Sequence, residues 1–165
     1  MYWFRFAVLV VVLTVLQASL VDAIAVSNLN IKPHLLLIGM VFFACYSNTY
    51  DTILASFIIG FASDLIGPIM GPGIISFGIS GTLLAYLRRA VTINKMPYQA
   101  AVIFVTGLFA GVLYYYLSLF KAPASPANAS IFIFWIPLYS AILGPFLFLP
   151  LAWWMRIKTQ RFGRQ

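Results

Sequence analysis

An all-α integral membrane protein, built as a six-helix bundle, is the fold class this sequence predicts, and three observations predict it. Hydrophobic residues fill 63% of the 165 positions and charged residues only 8%. Long apolar runs follow one another. The gaps between them carry the glycines, prolines and asparagines that make turns. The length suffices for six spans joined by short loops and leaves no room for a soluble domain beside them, so a single transmembrane domain, 1–165, is expected.

The first segment, residues 6–26, approaches the ~20 residues a spanning helix needs. Arg5 before it and Ala23 and Ala25 near its end also resemble a secretory signal, but Asp22 beside such a cut would be unusual. An uncleaved helix is the better reading. Ser27-Asn28-Leu29-Asn30 and Pro33 separate it from the second segment, 34–47, and Ser47-Asn48-Thr49 closes that one. The third, 52–66, stops at Gly67-Pro68, and the fourth, 73–87, follows Gly71-Pro72 and ends at Arg88-Arg89. The fifth, 98–120, begins after Pro97 and stops before Lys121 and Pro123, and the sixth is 131–155.

Segments two to four cover only ~21 to 23 Å of a ~30 Å apolar core. Either the helices run into their polar flanks, the bilayer thins, or segments two and three form a re-entrant hairpin; six spans are favoured.

Charge orients the bundle. The net charge is +7, but the basic residues flank apolar segments instead of forming a stripe, which points to lipid headgroups and not nucleic acid. A six-span layout puts Arg5, Arg88, Arg89, Lys95, Arg156, Lys158, Arg161 and Arg164 on one side and only Lys32 and Lys121 on the other. Both termini are therefore expected in the cytoplasm. Trp3 and Trp153-Trp154 fall at the cytoplasmic ends, and Tyr114-Tyr115-Tyr116 near an outer end.

Small residues recur every four positions through the third segment and beyond it: Ser56, Gly60, Asp64, Gly67 and Gly71. On a helix this spacing makes a narrow face where another backbone approaches closely, either inside the bundle or from a partner. Gly107 and Gly111 repeat the motif in the fifth segment. Asp64 is the most informative residue, because a carboxylate at membrane depth is costly unless an interface or cavity receives it. It can cap backbone near the Gly/Pro-rich turn, bond a partner, or hold a proton or ligand. Capping or partner binding predicts that Asn is tolerated there and Leu is not.

The remaining polar residues read more simply. Asp51 precedes the third helix and is expected to cap it. Lys32 can reach back to Asp22 as an anchor. His34 is expected as an interfacial, solvated imidazole, and Cys45 as an apolar filler. With one histidine, one cysteine and three scattered aspartates, no metal site, catalytic triad or paired-carboxylate site is expected, and no Walker-type loop is present. Neither enzyme activity nor a cofactor is anticipated. Asn128-Ala129-Ser130 matches a glycosylation acceptor, relevant only in a secretory-pathway host.

Three stretches resemble a known family. They are Pro33-His34-Leu35-Leu36-Leu37-Ile38, the run from Ala55 through Gly60 and Asp64 to Gly71, and the run from Gly81 to Arg88-Arg89. An apolar helix with Gly-x-x-x-Asp, a short turn with a late glycine, and a helix ending in basic residues is similar to the bacterial rod-shape-determining MreD family. The resemblance implies an inner-membrane scaffold of the cell-elongation machinery that binds the transmembrane helix of MreC. Through MreC it implies ties to MreB, RodA and the RodA-partner transpeptidase. It also implies a fold similar to the S components of energy-coupling-factor transporters. The strongest rival is an S-component-like small-molecule-binding subunit, which would need a cavity with convergent polar groups.

Overall fold

The computed structural model describes residues 3–19, 33–87, 96–121 and 131–155, and all regular structure among them is helical. The Asp22–Lys32 pair, the cut near Ala25, the Arg88–Lys95 loop, the Asn128 tripeptide and the basic tail after Met155 lie outside the described residues.

Six α-helices follow in order: α1 Trp3–Ser19, α2 Leu35–Tyr46, α3 Thr49–Ile66, α4 Pro72–Leu87, α5 Met96–Lys121 and α6 Ile136–Met155. A π-helical turn, Ile131–Trp135, leads into α6. The local sequence explains the boundaries. Pro72 opens α4 where its missing N–H costs nothing, and Gly71 before it takes φ +116°, a left-handed conformation that suits glycine. Asn48 holds the N-cap position of α3 without a side-chain cap bond, and Asp51, expected ahead of the helix, lies inside its first turn, where its charge meets the helix dipole.

Side-chain hydrogen bonds between helix ends fix the helix directions. Gln17 near the end of α1 bonds Leu35 at the start of α2, Thr52 at the start of α3 bonds Phe43 near the end of α2, and Asp64 bonds the start of α4. Gln99 joins the start of α5 to Tyr46, His34 joins the start of α6 through Ser140, and Trp154 at the end of α6 bonds Arg5. The helices thus alternate in direction, with an Arg5 end and an Asp64 end.

The centre is α2, whose residues Leu36 to Ala44 are all buried and which touches every other helix. A helix apolar on all faces belongs inside, and this one, with 12 residues, is ~18 Å long. It runs alongside α1 from Gln17 to Phe6, whose ring meets Phe43 at 4.8 Å. Phe42 stacks edge-on against Phe148 of α6 at 5.4 Å, so aromatic rings close the Arg5 end.

Three helices, Thr49–Ile66, Pro97–Lys121 and Ile133–Met155, are long and apolar enough to cross a membrane; α1, α2 and α4 are apolar but shorter. The perimeter is apolar as well. Val11, Phe61, Val105, Ile142 and Phe146 all point outward, a surface that water would not favour.

Candidate functional site

Asp64 sits on the last turn of α3 with 1% of its surface exposed. One carboxylate oxygen accepts the N–H groups of Gly71 and Ile74 at 2.8 and 2.9 Å, and the other accepts that of Gly73 at 2.8 Å. These are the free donors at the start of α4, which also carries the positive end of that helix's dipole. The carboxylate of one helix therefore caps the next. Gly73 has no room for a Cβ because the Asp64 carboxylate fills that space. From the end of α5, Lys121 donates to the Met70 carbonyl and holds the same turn from outside.

The rest of the small-residue row goes to the same seam. A Cβ on Gly60 would lie 2.7 Å from the Gly73 carbonyl oxygen and 2.9 Å from Ile74 Cα, so the two backbones are in contact there. Ser56 donates to Thr52 O at 2.7 Å and occupies the space a Gly81 side chain would need. Ser56, Gly60 and Asp64 thus face α4 of the same chain. The row does not continue, because α3 stops at Ile66 and Gly67 and Gly71 lie in the turn. Gly107 packs against Leu37 and Pro137, where a Cβ would lie 2.8 Å from each.

A second polar cluster was not anticipated. The buried start of α2 needs acceptors for its first N–H groups. His34 N–H donates to Ser140 Oγ at 2.8 Å, Leu35 N–H to Gln17 Oε1 at 2.6 Å, and Leu37 N–H to the Nδ1 of His34, the N-cap, at 3.3 Å. Gln17 also donates to the Pro33 carbonyl at 3.3 Å, clamping this turn with both ends of its amide. His34 is therefore a half-buried cap with its ring 5.4 Å from that of Phe77, and not the solvated imidazole expected from sequence.

Between these clusters lies a half-open cavity of about 230 Å³ at the Asp64 end. Gln17, His34, Ser63 and Tyr114 supply its polar atoms, and Gly111 also lines it. Leu36, Leu37, Phe77, Ala110 and Pro137 make most of the wall. No charged side chain among the described residues lines it. Among the described residues no three histidine, cysteine or carboxylate side chains gather as a metal site would require.

Sequence spacing could have found the Asp64 seam but not this cavity. Its polar residues come from separate parts of the chain: Gln17 from α1, His34 from the head of α2, Ser63 from α3 and Tyr114 from α5.

Fold and site together define an all-helical bundle with three helices long and apolar enough to cross a membrane and a polar-edged cavity at one end. No protein-family model, curated protein or solved structure matches the chain.

Proposed function

We propose that the chain is a multi-pass scaffold of the bacterial inner membrane, of MreD type, that binds the transmembrane helix of MreC. Through MreC it would help position peptidoglycan synthesis by RodA and its transpeptidase along MreB. The apolar perimeter and the alternating helix directions support six crossings, which put both termini on one side, and the excess of basic residues on that side favours the cytoplasm. The Gly60 and Gly107 faces were expected to pack inside the bundle or against a partner, and internal packing occupies both glycines. A different surface has to receive the partner.

The observation that carries this reading is a half-open groove of about 270 Å³ between α1 and α6, floored by Leu35 and Ile38 of α2. Val12 and Leu16 form one bank, and Leu147 and Trp154 the other. With essentially no polar surface to satisfy, such a slot suits the side chains of a single apolar helix. Filling it with Val12→Trp or Leu147→Trp should reduce co-purification of MreC at least tenfold and round up the cells. Wild-type co-purification by both variants at normal abundance would exclude the groove. Topology is tested by labelling Asn128→Cys in a Cys45→Ser background, where modification only from the cytoplasm would refute the layout.

A second reading, an S-component-like small-molecule binder, is favoured by the cavity at the Asp64 end.

A further inference from the structure

The cavity beside His34 has a size, a polarity and an unused donor that together specify a ligand class. Nδ1 of His34 accepts from Leu37, so the neutral ring carries its proton on Nε2. The ring lines the cavity, and Nε2–H has no hydrogen-bond partner among the described residues. Ser63 adds a hydroxyl to the same wall. A charged guest would be desolvated without a counter-charge from the described residues, because no Asp, Glu, Lys or Arg among them lines the space and the Asp64 oxygens are taken by three N–H groups.

Water finds polar partners only along the edge made by Gln17, His34, Ser63 and Tyr114; it needs two to four of them, and the walls of Leu36, Leu37, Phe77 and Ala110 offer none, so the apolar part of the space favours an apolar guest. An apolar cavity of ~150 Å³ takes benzene, so about 230 Å³ accommodates a guest somewhat larger than one ring. We propose that this cavity binds an uncharged, mostly apolar molecule of about two fused rings or an equivalent stretch of acyl chain, whose carbonyl-type oxygen accepts the Nε2–H of His34.

The inference deepens the second reading by naming its ligand chemistry, and it requires binding but no transport. The carbonyl can belong to a free molecule or to the ester region of a membrane lipid.

Three probes of similar shape test it on the full chain in nanodiscs, by equilibrium dialysis with empty nanodiscs subtracted. 2-Acetylnaphthalene should bind saturably at one per chain, 2-ethylnaphthalene roughly two- to tenfold more weakly for want of the hydrogen bond, and 2-naphthoate not measurably. Ala110→Leu and Gly111→Leu, which fill the cavity, should each abolish binding in protein that keeps its helical spectrum. His34→Asn keeps an N-capping side chain but loses Nε2–H, so the preference for the acetyl over the ethyl probe should fall to about one. Because that readout is a ratio, it is insensitive to a partial loss of folded protein.

Binding seen only after delipidation, with one lipid per chain in the solvent extract, assigns the site to a lipid; immediate binding assigns it to a free molecule. No saturable binding before or after delipidation, equal binding of the naphthoate, or an unchanged preference in His34→Asn would overturn the proposal. Binding without uptake of the probe by vesicles would leave it standing while the transporter reading fell.

Discussion

The α3–α4 seam and the α1–α6 seam solve the same packing problem in opposite ways. Along α3–α4, glycines and serine let backbones touch, and the polar ends are satisfied by Asp64. Along α1–α6, leucines, valines and tryptophans hold the helices apart and leave a groove. A stripe of small residues thus marks where this chain has already packed on itself, and the open surface lies where the side chains are large.

The sharpest way to break this contrast is to add bulk at the closed seam. Gly60→Leu would drive a side chain into the backbone of α4, which cannot rotate away as a side chain can, so a loss of about 3 kcal/mol or more is expected. The same change at the open seam should be nearly silent. Thermal unfolding in detergent, followed by circular dichroism, measures the difference, and equal effects at both seams would remove the distinction.

Next in size is Asp64. Leu leaves three N–H groups without an acceptor, at ~1 to 3 kcal/mol for each that water does not reach. The geometry also revises the expectation that Asn is tolerated. A carboxylate only accepts, whereas one side of an Asn amide is an NH₂ that would face a backbone donor, so Asp64→Asn should cost about 1 to 2 kcal/mol. A variant as stable as wild type would mean the turn can rebuild its bonds.

Gln17→Leu should follow, at about 1 to 2 kcal/mol, by freeing the Leu35 N–H and the Pro33 carbonyl. Hydrogen exchange at Leu35 should rise in the same variant while Gly73 stays protected. Smallest of all, Val12→Trp in the groove should change stability by no more than ~0.5 kcal/mol, since Val12 is 47% exposed. A large loss there would mean that the groove is part of the folding core.

Much of the fold was legible because each helix leaves a local trace. Five of the six helices begin and end within a few residues of their apolar runs, and turn residues sit where the chain reverses. The end of the first lies among residues 20–26, outside the described set. The Asp64 seam was half legible: the four-residue spacing gave the face, but which helix meets it depends on a contact with Gly73 that spacing cannot express. The cavity was not legible at all. Nor was the polar cluster beside it: Gln17 lies within a helical run, and Ser140 is one serine among many apolar neighbours. Their roles exist only because α1 and α6 both converge on the start of α2.

The dependence of α2 on Ser140 bears on how the protein is made. Translation delivers α2 well before α6, yet the His34 N–H at the head of α2 finds its acceptor only on α6. Until α6 arrives, the most deeply enclosed element retains an unsatisfied donor and an uncovered flank. A chain interrupted before residue 140 should therefore be distinguishable to a membrane protease from one that carries α6, and release from quality control would depend on α6 reaching the first half of the bundle.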